Sequence, residues 1–328
     1  MKVKSFFLSV IILFALLATL AGCGSTKPKI ALMLARGGLG DKAFNDSAND
    51  GLQKAARELG VDVMTFDYQQ DTQEENMRKV AQQKYNLIIG LGSENSAAIT
   101  AVSKEFPESK FALIDAAADG ANITSVTFSE LDGDFLAGAL AALLSENNKI
   151  AYLGGADVLV IRRIQYGFEQ GVKYVNPNAE VLVKYIAGKD DFSGFAKPDE
   201  ANAISKQLYA DGVNIIYAAA GGSVLGAIDA AKLAGKFIIT TGSDQRYIAP
   251  QVVVTSRTKN MNQAVFMLIE MLTQNKLQSR PIQLNYKSGG IGIAPLADFV
   301  PASVSTKFDS IKADVESGKI KVQPFVGE

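Results

Sequence analysis

The sequence contains no histidine, no tryptophan and a single cysteine, Cys23, in 328 residues. Each gap removes a class of chemistry. Without imidazole there is no Ser/His/Asp or Cys/His relay, no histidine metal ligand and no imidazole that titrates near neutral pH. One cysteine permits neither an intrachain disulfide nor a thiolate zinc cluster. Charge of one sign is also missing, since 33 Lys plus Arg stand against 34 Asp plus Glu, and nothing marks a surface for nucleic acid. No cofactor, metal or catalytic residue is expected. What remains is a chain that is 48% apolar and 20% charged. It is about twice the roughly 150 residues typical of one domain, which suggests a globular protein of two lobes.

The amino terminus is the first positive feature. Lys2 and Lys4 precede an apolar run over residues 6–20, followed by Leu20, Ala21, Gly22 and Cys23. This is the pattern of a signal peptide, because the run is shorter than the roughly 18 residues of a spanning helix and small residues precede the cleavage point. The order Leu, Ala, Gly, Cys resembles the bacterial lipobox, in which Cys23 becomes the acylated amino terminus. Residues 1–22 are thus expected to be removed, and 23–29 to form a short polar tether containing Pro28. Several acyl chains, at about 0.8 kcal/mol per buried methylene, would hold the protein stably on the extracytoplasmic face of the cell membrane. Without Lys2 and Lys4 the chain carries 31 basic and 34 acidic residues and is mildly acidic.

From residue 29 onward, short apolar runs alternate with amphipathic segments of helical length. Strands are expected at 30–35, 61–67, 87–91, 111–115 and 123–128, with helices at 44–59, 72–83 and 96–106. The rhythm restarts at 150–153 and continues through 181–186, 215–219 and 237–241. A strand at 252–256, a helix at 261–275 and an extended piece at 282–286 follow. Such repeated units imply parallel sheets covered on both faces, and their number suits two sheets with a late strand returning to the first lobe.

Ligands of open parallel sheets sit beyond the carboxyl ends of the strands. Those ends supply Arg36, Gly37, Gly38, Gly40, Asp41, Phe44 and Asn45, then Gly92 and Ser93, then Asp115 and Phe128. The second half supplies Phe192 and Phe195 in a polar loop, Tyr217, Gly221, Gly222 and Ser223, then Asp244 and Lys259. Gly38, Gly40 and Ala43 fit only a loose dinucleotide fingerprint, and no Walker loop ends in Gly, Lys, Ser/Thr. Aromatic rings can sandwich a planar base, and carboxylates accept hydrogen bonds from hydroxyl or ring N–H groups. The set therefore suits a neutral ligand with a flat ring and hydroxyls. Several members have a second reading: Phe44 and Tyr217 as core aromatics, Asp41, Asp115 and Asp244 as helix caps.

These residues lie in stretches that resemble the basic membrane lipoprotein family, whose best understood members are purine-nucleoside receptors. The stretches are 40–45 (Gly, Asp, Lys, Ala, Phe, Asn), 111–115, 220–226 (Ala, Gly, Gly, Ser, Val, Leu, Gly), 242–244, 255–259 and 289–299. The resemblance implies an α/β, type I periplasmic-binding-protein fold, two Rossmann-like lobes with parallel sheets joined by a three-strand hinge. One lobe would take 30–128 and 252–280, the other 129–251 and 281–328. It further implies that Phe44 and Tyr217 stack on a base with Asn45 and Asp41 beside it. Asp115, Asp244 and Lys259 would hold ribose hydroxyls or base edges, and Gly222 would let the backbone approach. Tyr217 stands where Phe is commoner, and Phe192 and Phe195 receive no role. The function implied is a lipid-anchored, monomeric receptor that delivers a nucleoside to the permease of an ATP-binding cassette importer. A ribose-like sugar receptor of the same fold and a surface adhesin or signalling lipoprotein are the alternatives. An enzyme would need a carboxylate cluster that is not apparent.

Overall fold

A computed structural model describes residues 27–327. The expected leader and the acylation site at Cys23 lie outside the described residues. Within them the chain builds two six-stranded sheets. The first has the order β11-β5-β4-β3-β1-β2, all parallel, from β1 (Lys29–Met33), β2 (Asp62–Phe66), β3 (Leu87–Leu91), β4 (Lys110–Ile114), β5 (Ile123–Phe128) and β11 (Ile282–Leu284). The second has the order β12-β10-β9-β8-β6-β7, from β6 (Lys149–Asp157), β7 (Glu180–Lys189), β8 (Ile215–Ala219), β9 (Phe237–Gly242), β10 (Val253–Lys259) and β12 (Ile291–Ile293). Only β12 runs antiparallel.

Both faces of each sheet are covered, and this is why the strands read as near-continuous apolar runs. In β1, Ile30 and Leu32 face α1 (Phe44–Leu59) and α8 (Met261–Thr273), packing with Leu52, Ala55, Val265 and Leu268. Ala31 and Met33 face the other way, onto Met77 of α2 (Gln73–Gln82) and Ile99 of α3 (Ser96–Glu105). In β8, Ile215, Tyr217 and Ala219 pack towards α4 (Leu131–Leu144), α5 (Leu159–Val175) and α9 (Ala302–Glu316). Ile216 and Ala218 pack towards α6 (Pro198–Ala210) and α7 (Val224–Ala234). The period-two alternation of a strand divides each sheet's core into two such layers.

The chain passes between the lobes three times, from β5 to α4, from β10 to α8 and from β11 to β12. This moves the boundaries expected at 252 and 281. Val253–Lys259 does not return to the first lobe. It lies beside β9 with Ser256 opposite Thr240, whose hydroxyls bond at 2.7 Å, and Val253 and Val254 fill the second lobe's cores. The segment that does return is α8, packed on α1, followed by β11, which pairs with β5. The switch therefore follows Lys259, and β11 belongs to the first lobe.

Candidate functional site

The carboxyl ends of both sheets face each other across one cavity. The first lobe lines it with Ala35, Arg36, Asp41, Ala43, Phe44 and Asn45 after β1, with Gly92, Ser93 and Glu94 after β3, and with Asp115 after β4. The second lobe adds Val160, Ile161 and Ile164 of α5 and Phe192 and Phe195 after β7. It also adds Ala219, Gly221 and Gly222 after β8, Thr241 and Gly242 of β9, and Arg257 and Lys259 of β10. The rims touch. Lys42 O accepts from Gln245 Nε2 at 3.0 Å and from the Ser243 hydroxyl, and a Cβ on Gly222 would stand 3.6 Å from Asp41 Cβ. The structure is thus the closed form of a two-lobed cleft.

Asp41 and Asn45 form a buried latch at the start of α1. The Asp41 carboxylate accepts from the N–H groups of Ala43, Asn45 and Asp46 and from Asn45 Nδ2, at 2.8–3.1 Å. Asn45 Oδ1 in turn accepts from Ala35 N at 2.9 Å. Burial pushes the Asp41 carboxyl up, against the pull of those backbone N–H groups. Asp41 therefore works mainly as a cap that holds Phe44 and Asn45 at the cavity wall. One hydrogen of Asn45 Nδ2 has no partner among the described residues, and it is the only donor of this pair left for a ligand.

Asp115 and Lys259 meet across the lobes at 2.6 Å. Asp115 has φ +70°, a left-handed conformation that Asp and Asn tolerate better than other side chains. Lys259 Nζ also pairs with Glu130 at 2.8 Å and lies 5.2 Å from the Phe128 ring centre. Glu130, fully buried, pairs with Arg163 of α5 at 3.1 Å. Burial pushes the Asp115 carboxyl up, opposed by Lys259 and reinforced by Glu130. Burial also resists ionisation of Glu130, but Lys259, Arg163 and Arg257 outweigh it and hold that carboxyl below its ordinary value. The network joins the first lobe, two of the three crossings and α5, so it stands at the hinge as well as at the cavity.

Six of the eight expected ligand residues line the cavity: Asp41, Phe44, Asn45, Asp115, Gly222 and Lys259. Tyr217 and Asp244 do not, and both expectations are corrected. Tyr217 is fully buried in mid-strand, its ring stacked on Phe168 at 4.8 Å and 26° and its hydroxyl donated to Asp134 at 2.6 Å. It lies two residues before the end of β8, and its side chain is directed into the core beneath α4 and α5. Asp244 lies two residues past Gly242, in a separate surface pocket beside Lys42, Asp46 and Tyr247. There its carboxylate grips Arg246 at 2.7 Å and is held below the usual carboxylate range by that partner.

The aromatic surface of the second lobe comes from Phe192 and Phe195. Their ring centres lie 6.2 Å apart in the short turn Phe192–Ala196. The turn is locked by Ser223, whose hydroxyl donates to Gly194 O at 2.7 Å and accepts from Lys197 N at 2.6 Å. Gly155 makes room, since a Cβ there would lie 2.5 Å from the Phe195 ring. Glu94 and Arg257 were not expected from sequence. Glu94 Oε1 accepts from Arg36 N at 3.0 Å, and burial raises its carboxyl pKa. Among the described residues no group of three or more Asp, Glu, Cys or His could hold a metal ion. No helix among them is long and apolar enough to cross a membrane.

A family model described as Bmp, ABC transporter substrate-binding protein PnrA-like, matches residues 27–323. The chain belongs to this family. Basic membrane protein A of Borreliella afzelii is 30% identical to this Bmp chain over 92% of it and 93% of that relative. The ABC transporter nucleoside-binding protein BmpA of Lactococcus lactis is 29% identical over 95% and 96%. Among solved structures, an ABC transporter solute-binding protein from Aeropyrum pernix superposes with a TM-score of 0.80 at 25% identity, covering 90% of this chain and 92% of that one. The Bmp chain thus has the periplasmic-binding fold and is a substrate-binding protein of the ABC transporter type.

Proposed function

We propose that this Bmp protein captures a nucleoside, most readily a purine nucleoside, in the interlobe cavity and delivers it to the permease of an ABC importer without chemical change. The observation that carries this reading is the pairing of aromatic rings from opposite lobes, Phe44 on one side and Phe192 and Phe195 on the other, beside the Asp115 and Lys259 pair. Rings on both walls suit a flat base at about 1–3 kcal/mol per stacked face. The carboxylate and ammonium suit ribose hydroxyls, which both donate and accept. The relative from Lactococcus lactis, a nucleoside-binding protein, points the same way.

In this reading Phe195 takes the stacking part that the family resemblance implied for Tyr217. Asn45 offers its free amide hydrogen to the base, and Gly222 allows close approach of backbone. Acylated Cys23 would tether a monomer to the extracytoplasmic face of the membrane. Affinity arises from closure, because a ligand shifts the lobes only by binding the closed state better than the open one. A thermal-unfolding screen of the chain lacking residues 1–22 against nucleosides, free bases, nucleotides and sugars tests the reading. A nucleoside at about 100 times its Kd should stabilise by about 2.7 kcal/mol. Stabilisation by ribose alone would replace the reading with a sugar receptor, and product formed on incubation would replace it with an enzyme.

A further inference from the structure

Arg257 is a cation in an unusual place. It is 1% exposed, in the middle of a strand core, yet it lines the ligand cavity. Its stem packs on α4, where a Cβ on Gly133 would come within 3.1 Å of Arg257 Cγ. Its Nε donates to Asp134 Oδ1 at 2.7 Å and to the Tyr217 hydroxyl at 3.2 Å, while that hydroxyl donates to the same Asp134 oxygen. The terminal nitrogens make no hydrogen bond among the described residues, and Nη1 is fully buried and unpartnered. With the stem, Nε and Nη1 all covered, Nη2 with its two N–H groups is the part of Arg257 left to bound the cavity. A buried guanidinium is costly to desolvate and Asp134 offsets this only in part, so the unpaired Nη2 calls for an acceptor in the closed, loaded cleft.

We propose that Arg257 is a specificity-determining residue that presents the two N–H groups of Nη2 to two adjacent acceptors on the bound base, and that the preferred ligands are therefore 6-oxopurine nucleosides. This rests on the nucleoside reading above. A 6-oxopurine offers O6 and N7 as neighbouring acceptors to such a donor pair, whereas adenine places an amino donor beside N7 and is repelled there. Asp134 and Tyr217 act as positioning residues that fix the guanidinium plane.

The test is calorimetry with inosine, adenosine and 7-deazainosine on the unaltered protein and on Asp134→Asn/Arg257→Met, a pair of changes that leaves no lone buried charge. The unaltered protein should prefer inosine to adenosine, and inosine to 7-deazainosine, by roughly 5- to 150-fold. Both preferences should fall to within a few-fold in the double variant, with nucleoside still bound. If the unaltered protein binds nucleosides without either preference, or if both survive in the variant, the proposal is overturned while the nucleoside reading stands. If it binds no nucleoside, that reading fails and this one with it. The 7-deazainosine comparison needs no variant, so a missing preference overturns the proposal even if the double variant does not fold.

Discussion

At the residue scale, the cavity separates side chains that touch a ligand from those that hold other side chains still. Phe44 and Phe195 reach the cavity, whereas Asp244 spends its carboxylate on Arg246 outside it. Phe44→Ala and Phe195→Ala should each weaken purine-nucleoside binding by about 1–3 kcal/mol through lost stacking, or roughly 5- to 150-fold. Asp244→Ala should leave affinity unchanged, and its half-exposed ion pair is worth only about 0–1 kcal/mol of stability. Calorimetric titration of the three variants checks this, and a large loss of affinity in Asp244→Ala would contradict the placement.

Asp134 adds a pH dependence. Burial pushes its carboxyl up from 3.8 to about 6, opposed by Arg257 and by the Tyr217 hydroxyl. The folded chain therefore takes up this proton near pH 6 and the unfolded chain near pH 4, so between those values the native state binds more protons. Lowering the pH from 7 to 5 then favours folding at this site, and the contribution is lost as pH rises through 6. The difference in Tm between the unaltered protein and Asp134→Asn should widen, by up to a few degrees, as pH falls from 7 to 5. A difference that stays constant or narrows would mean that Asp134 remains ionised throughout.

How much of the site sequence disclosed follows from where such residues sit. Asp41, Phe44, Asn45, Asp115, Gly222 and Lys259 were legible because they follow apolar runs, and the carboxyl ends of parallel strands are where a cleft must open. Arg257 was not, because its partner Asp134 is 123 residues away and no local pattern joins them. Tyr217 misled because spacing cannot say which face of a strand an aromatic occupies, and Asp244 because its pairing with Arg246 is not marked in the sequence.

At the element scale, the packing of α4 on α5 relies on reciprocal glycines. A Cβ on Gly138 would stand 2.0 Å from Phe168 O, and one on Gly171 would stand 1.8 Å from Phe135 O. Gly171→Ala would gain about 0.5–1 kcal/mol of helix propensity. The collision with backbone outweighs this, at about 1–3 kcal/mol or more of overpacking. Net destabilisation is expected, with Tm falling by about 2–4 °C per kcal/mol, and a raised Tm would show that the helices sit further apart. The strand positions were largely legible, since buried parallel strands are apolar throughout. Sheet membership of β10 was not, because an apolar strand carries no mark of which sheet it will join. The Thr240 and Ser256 hydroxyl pair that fixes it against β9 forms only once the two strands lie side by side.

At the scale of the whole molecule, two sheets whose carboxyl edges oppose one another, three crossings and a hinge-side network of Asp115, Lys259, Glu130 and Arg163 make a clamp. Closure brings aromatic rings from both lobes to one space and joins Lys42 of the first lobe to Gln245 of the second. Capture of a nucleoside by this clamp is tested most directly by calorimetric titration of the chain lacking residues 1–22 with inosine, guanosine and ribose. Saturable binding of inosine and guanosine at one molecule per chain, with no heat from ribose, is the expected result. Binding of ribose with none of either nucleoside would contradict the account.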